Sequence, residues 1–318
     1  MADNQKSLRG LKTVDLFAGC GGLSLGFSRA GFNIVAAYDN WELANAVYKN
    51  NFSHDTYLMD LSDVAGAVKQ ISKYAPDIII GGPPCQDFSI AGKRVESNRA
   101  NLTISFAEIV ARVSPQIAVM ENVYNIEKSR SLGLAKQVLI EAGYGITTRV
   151  INASLTGVPQ IRKRLFLIAA KQFKNDAFGS HLDDNLSDHP MTVADYFGDE
   201  LNTEFYYAHP RSYKRRAVFS IYEPSATIRR VNRPIPDNYS RHPADKAAVT
   251  EGVRMLTTLE RSRIQTFPKD FVFCGSRTEQ EQLIANAVPV KLAQYVGEQI
   301  IKFINSEKNK RIRTAKKS

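Results

Sequence analysis

Cysteine is scarce. The 318-residue chain holds three, Cys20, Cys85 and Cys274, odd in number and far apart. That pattern argues against a disulfide framework and a CxxC zinc site, and it fits a reducing cytoplasm. The five histidines and three cysteines make no metal-ligand cluster, so no metal is expected. No apolar run approaches the roughly 18 residues needed to span a bilayer. The polar start MADNQKSLRG does not read as a secretory signal. Internal repeats and Pro- or Ser-rich linkers are missing too. Acids are outnumbered, with 42 Lys+Arg against 32 Asp+Glu, a net charge of +10. A basic excess of that size points to a polyanionic partner, nucleic acid first. What remains is ordinary: 43% hydrophobic and 23% charged residues suffice for a sizeable core and argue against disorder. The length predicts two domains, or one large α/β unit with an insertion.

Residues 11–170 read as alternating strands and helices. Short apolar runs at Thr13–Phe17, Asn33–Tyr38, Asp77–Ile80, Ile117–Met120 and Leu165–Ala170 are separated by helical patterns, one of them from Trp41 to Lys49. Such runs predict βαβ units and a buried, largely parallel sheet. The texture then changes. Residues 171–204 carry two Lys and eight acids, whereas 205–246 carry nine Lys/Arg and three acids, with five prolines and seven aromatics. Proline breaks helices, so 175–274 is expected to form a smaller domain of loops and short strands. A helical pattern returns over Val290–Ile304, and the basic tail Glu307–Ser318 reads as a solvated end.

Two loops carry the chemistry. In the first, Asp15-Leu-Phe-Ala-Gly-Cys-Gly-Gly-Leu-Ser-Leu-Gly26, the residues Gly19, Gly21 and Gly22 allow a sharp turn and close approach to a ligand. The dinucleotide pattern GxGxxG is not met, because Ser24 takes its third slot. Asp39, at the end of the second apolar run, is placed to accept from ribose hydroxyls, and Asp60 from an adenine amino group. This logic serves NAD and S-adenosylmethionine equally. In the second, Ile78-Ile-Ile-Gly-Gly-Pro-Pro-Cys85-Gln-Asp-Phe-Ser89, a thiol sits at the carboxyl end of a strand, where ligands of open α/β sheets bind. Pro83-Pro84 stiffens the approach, and Cys85 reads as a nucleophile. Cys20 and Cys274 lack such a frame.

GPPCQ after an Ile-rich strand, with DLFAGCGG upstream, resembles the DNA (cytosine-5) methyltransferases of bacterial restriction-modification type. Glu121-Asn122-Val123, then Val158-Pro-Gln160-Ile-Arg162-Lys-Arg164, Glu260-Arg-Ser-Arg263-Ile-Gln265-Thr-Phe-Pro268 and Asn286-Ala-Val-Pro289 follow in the family's order. The resemblance covers nearly the whole chain except about 172–250. It implies a Rossmann-like S-adenosylmethionine-dependent methyltransferase fold with a mostly parallel sheet, residues 1–174 and 275–318 forming the catalytic domain and 175–274 a target-recognition domain. Two departures occur: Ala285 and Ala100 stand where the family has glycine.

The implied reaction is methyl transfer to carbon 5 of a flipped-out cytosine in a specific double-stranded DNA sequence. Cys85 would add to carbon 6, Glu121 would serve N3, Arg164 would hold O2, and Arg162 would support the pocket. The implied cofactor contacts are Phe17, Ala18, Gly19, Gly21, Gly22, Leu23, Asp39, Asp60, Leu61, Pro83, Leu102, Asn286, Ala287 and Val288, with Asn40 or Trp41 covering the adenine. Ser89, Lys93, Arg94 and Arg99 fall in the family's active-site loop and are implied to contact DNA. Arg211, Lys214, Arg215 and Arg216 suit phosphates, and Thr227, Arg229, Arg230 and Arg233 lie on a stretch resembling the recognition strand. The resemblance also implies a cytoplasmic, nucleoid-associated monomer with a companion restriction endonuclease. Three rivals stay open at this stage: a tRNA methyltransferase on the same scaffold, a nucleotide-dependent oxidoreductase, and a non-catalytic DNA-binding protein.

Overall fold

The computed structural model describes residues 10–84, 101–212, 214–249 and 252–315. The chain opens with β1 (Lys12–Leu16), α1 (Gly22–Ala30), β2 (Asn33–Asp39), α2 (Glu42–Asn51), β3 (Asp55–Leu58), α3 (Val64–Ile71) and β4 (Ile78–Gly81). It continues with α4 (Asn101–Val113), β5 (Ile117–Val123), α5 (Arg130–Glu141), β6 (Tyr144–Asn152) and β7 (Lys163–Lys171). Then come α6 (Gly179–Asp184), α7 (Val193–Phe197), β8 (Phe205–Tyr207), β9 (Val218–Ser220), β10 (Arg254–Met255), α8 (Thr258–Ile264), α9 (Arg277–Asn286) and α10 (Val290–Ala315). Among the described residues no helix is long and apolar enough to cross a membrane.

The first of two units spans 1–151, 163–186 and 293–318. Its seven strands run in the order β3-β2-β1-β4-β5-β7-β6. The pairs β3–β2, β2–β1, β1–β4 and β4–β5 are parallel, whereas β7 is antiparallel to β5. Ile78–Ile80 and Ile117–Met120 are buried throughout, as strands covered on both faces must be. The core joins Val14, Leu16, Ile79, Met120 and Leu167 of the sheet to Phe106, Val110 and Leu139 of the flanking helices. The expected α/β fold with a mostly parallel sheet is the one found.

The second unit spans 152–162 and 187–292. It has a three-stranded sheet ordered β10-β8-β9, β8 being parallel to β10 and antiparallel to β9. Its core gathers Phe197, Tyr206, Phe219, Ile228, Leu256, Ile264 and Ile284. The prolines do leave long stretches without regular structure, but α7, α8 and α9 form as well. The bounds also differ from the expected 175–274. Residues 152–162 join this unit because Ser225 and Thr227 bond to Pro159 and Ile161. Residues 275–292 join it because Ile284 packs beside Ile264.

Candidate active site

Five parallel strands bring their carboxyl ends to one edge, and several of the residues expected at the site follow these ends. After β1 the backbone turns through Phe17 at φ 57°, Gly19 at 55° and Gly21 at 92°. Positive φ is unusual for phenylalanine, and residues held this way cluster at ligand sites. Only glycine fits at position 21, where a Cβ would meet the Phe52 ring at 2.4 Å. At Gly19 a Cβ would meet nothing within 4 Å, so that backbone faces open space.

Asp39 ends β2, and its carboxylate ties this loop down. Oδ2 accepts from the Gly19 amide at 2.8 Å, and Oδ1 from the Trp41 amide at 2.8 Å. Burial pushes its carboxyl upward while these amides oppose the shift. Trp41 is half-buried and Asn40 exposed. Asp60 is exposed, with Oδ1 accepting from the Ser62 amide at 2.9 Å. Ala18, Gly22, Leu23, Leu61, Pro83 and Leu102 are buried.

Beneath the glycine loop lies a buried polar chain that sequence reasoning missed. Asp15 accepts from Ser24 Oγ at 2.6 Å, Ser24 Oγ accepts from Tyr48 OH at 2.7 Å, and Tyr48 OH lies 2.6 Å from His54 Nε2. Burial pushes the Asp15 carboxyl up to about 8. Cys20 is buried too, its thiol pushed up to about 12 by the same cause, which suits an inert side chain rather than a nucleophile.

The second loop leaves β4 at Gly81. Asn122 Nδ2 donates to the Pro83 carbonyl at 2.9 Å, so the end of β5 anchors the start of this loop. A Cβ at Gly82 would stand 3.4 Å from Glu121 Oε2, which places Glu121 beside the same stretch. Because β7 runs antiparallel to β5, its beginning arrives at the edge where the parallel strands end. Arg164 pairs with Val123, two residues from Glu121 and on the same face. Arg164 Nε lies 3.0 Å from Glu121 Oε1, both side chains nearly buried. Burial lowers the Arg164 guanidinium and Glu121 opposes that shift. Cys85, Ser89, Lys93, Arg94, Arg99 and Ala100 lie outside the described residues.

Arg162 belongs to the second unit. It is buried and donates to the carbonyls of Ala285 at 2.9 Å and Ala287 at 3.1 Å, inside the second unit. Gln160 is fully buried there as well, donating to Gln265 at 2.7 Å and accepting from the Ile228 amide. Asn286 is exposed, with Ala287 and Val288 buried, where α9 gives way to α10. On the expected DNA-reading stretch, Arg216 makes a bidentate pair with Glu223, and Thr227 donates to Ile161 at 2.7 Å. Arg229 donates to the His209 carbonyl, and the charges of Arg211 and Arg215 reinforce its burial in lowering its guanidinium. Arg211, Lys214, Arg215, Arg230 and Arg233 are exposed. Among the described residues no group of three or more His, Cys, Asp or Glu is arranged to hold a metal.

An open α/β sheet with a glycine loop after its first strand, an acid after its second and an Arg–Glu pair beside the fourth defines a Rossmann-like class of enzyme. The particular family follows from comparison: residues 11–302 match the family model for C-5 cytosine-specific DNA methylase, and the chain belongs to that family. It is 55% identical to the Type II methyltransferase M.HindV of Haemophilus influenzae, over 92% of this chain and 97% of that protein. It is 51% identical to the Type II methyltransferase M.HgiDI of Herpetosiphon aurantiacus, over 93% and 96%. Among solved structures, the S. pombe Dnmt2 methyltransferase superposes with a TM-score of 0.70 at 18% identity, covering 93% of this chain and 99% of that one. A putative DNA modification methyltransferase from an E. coli prophage gives 0.67 at 23%, with the same coverage. Both share the fold.

Proposed function

We propose that this protein transfers a methyl group from S-adenosylmethionine to carbon 5 of a cytosine flipped out of a specific duplex DNA sequence, as the methylase of a restriction-modification system. The observation that carries this reading is the Glu121–Arg164 pair beside the anchored Gly82–Pro84 stretch, which leads directly to Cys85. Relatives at 51–55% identity named Type II methyltransferases favour it over the tRNA alternative.

The glycine loop fits the cofactor. Open space at Gly19 admits close approach, both Asp39 oxygens keep a lone pair for ribose hydroxyls, and the half-buried Trp41 offers a ring to the adenine. Asp60 would accept from the adenine amino group. Once bound, the cofactor supplies an electrophilic methyl group. Cys85 does the work that carbon 5 cannot do unaided. Its thiolate bonds to carbon 6, and the ring electrons move toward carbon 5 and N3. Glu121 holds a proton at N3, and Arg164 keeps the Glu121 carboxyl aimed while lying within reach of O2. Once carbon 5 carries the methyl group, loss of its proton lets the sulfur leave. Drawing the target base from the stack costs a few kcal/mol.

The test is transfer of labelled methyl from S-adenosylmethionine to duplex DNA, followed by sequencing of the modified positions. Cys85→Ala should abolish transfer while cofactor binding survives. Glu121→Gln should lower turnover by about 10²–10⁴-fold, the range for a lost acid–base group. Full activity in Cys85→Ala would remove the nucleophile assignment.

A further inference from the structure

The second unit holds a cavity of roughly 470 Å³ between the recognition stretch and the start of α9, lined by Arg230, Asn232, Arg233, Arg277, Thr278 and Glu281 among others. Its only acid is already engaged. Glu281 Oε2 lies 2.6 Å from buried Arg261 Nε, and Oε1 accepts from Asn232 at 2.8 Å and Thr258 at 2.9 Å. The three arginines around the opening form no ion pair among the described residues, and Arg277 meets only the Met255 sulfur, at 3.7 Å. Like charges gathered on one concave wall repel unless an anion joins them. The α9 terminus does not supply this site, because Ser276 and Glu279 close it with a reciprocal capping box.

We propose that this cavity seats one phosphodiester of the bound DNA, with Arg277 gripping it from outside the recognition stretch while Arg230 and Arg233 close on it from within. The proposal rests on the DNA-methylase reading. It makes Arg277 a positioning residue: phosphate contacts set register and carry no base information. Guanidinium forks suit phosphate oxygens, and the volume admits a phosphate with its sugar. Asn232, held by Glu281, keeps the wall that bears Arg230 and Arg233 in place.

The test is a fluorescence-anisotropy titration of labelled duplex with the full chain, over salt from about 50 to about 200 mM. Arg277→Gln should weaken binding roughly tenfold, equally for target-bearing and scrambled duplexes, and should flatten the log–log salt slope by about 0.9. Arg277 is exposed, so its thermal midpoint should match the parent's. Lys69→Gln on α3, an equal loss of charge at another exposed position, should keep the parent slope. A loss confined to the target duplex would overturn the proposal in favour of a base-edge reader. An unchanged slope, with inorganic phosphate raising the thermal midpoint of the parent but not of Arg277→Gln, would overturn it in favour of a free-anion site. A parent chain that binds no duplex would sink the methylase reading instead, so the two failures are separable.

Discussion

Single side chains decide the character of the glycine loop. Asp15 is fully buried, and its carboxyl is pushed from 3.8 to about 8 chiefly by desolvation. Between those values the folded chain holds a proton that the unfolded chain has lost. Stability therefore falls as pH rises from about 4 to about 8, by at most about 1.4 kcal/mol per pH unit. Asp15→Asn keeps an acceptor for Ser24 and cannot ionise. Thermal unfolding midpoints measured from pH 5 to pH 8 should show the parent losing ground steadily against this variant. A constant difference would mean that Asp15 ionises normally. The same scale shows what spacing conceals. Arg162 and Arg164 are two residues apart in one sequence element, yet one clamps carbonyls of the second unit and the other meets Glu121. Alternation along a strand would put residues two apart on one face, so it does not separate them; Arg162 precedes β7, and only packing names the partners.

At the scale of elements, legibility followed burial. The strands β1, β2, β4, β5 and β7 are readable as apolar runs because both of their faces are covered. Sequence reasoning missed β3 and β6, which occupy the two ends of the sheet. Edge strands admit polar residues, and Thr147, Thr148 and Arg149 interrupt the apolar signal of β6. Between α8 and α9 a buried ion pair, Arg261–Glu281, braces the Arg229–Asn232 segment, since Arg261 also donates to the Arg229 carbonyl and Glu281 accepts from Asn232. Removing one partner strands the other charge away from water. Glu281→Ala should cost about 3–5 kcal/mol in denaturant unfolding. Glu281→Gln, which retains an acceptor for Asn232 and Thr258, should cost less. Equal costs would show that the whole loss comes from the missing charge and that the bonds to Asn232 and Thr258 add nothing.

For the whole molecule the net charge is +10, and residues 205–246, the expected DNA-reading stretch, carry nine Lys/Arg against three acids. Exposed Arg211, Lys214, Arg215, Arg230 and Arg233 share one unit with the Arg277 cavity. Counterion release should make duplex binding steeply salt-dependent, so the dissociation constant should rise at least about tenfold between about 50 and about 200 mM salt. A flat response in filter binding or anisotropy would remove nucleic acid as the partner of this surface.

Sequence alone determined the fold class and the family, because a parallel sheet writes continuous apolar runs and the family's motifs follow the strand ends within a few residues. Tertiary structure alone decided the partners. It joined Glu121 to Arg164 across an antiparallel β5–β7 register, tied Asp39 to Gly19, buried Glu281 against Arg261, and moved 152–162 and 275–292 into the second unit. Each of these depends on segments remote in the chain meeting as the core closes, and pairwise distance between such segments is not written in local composition.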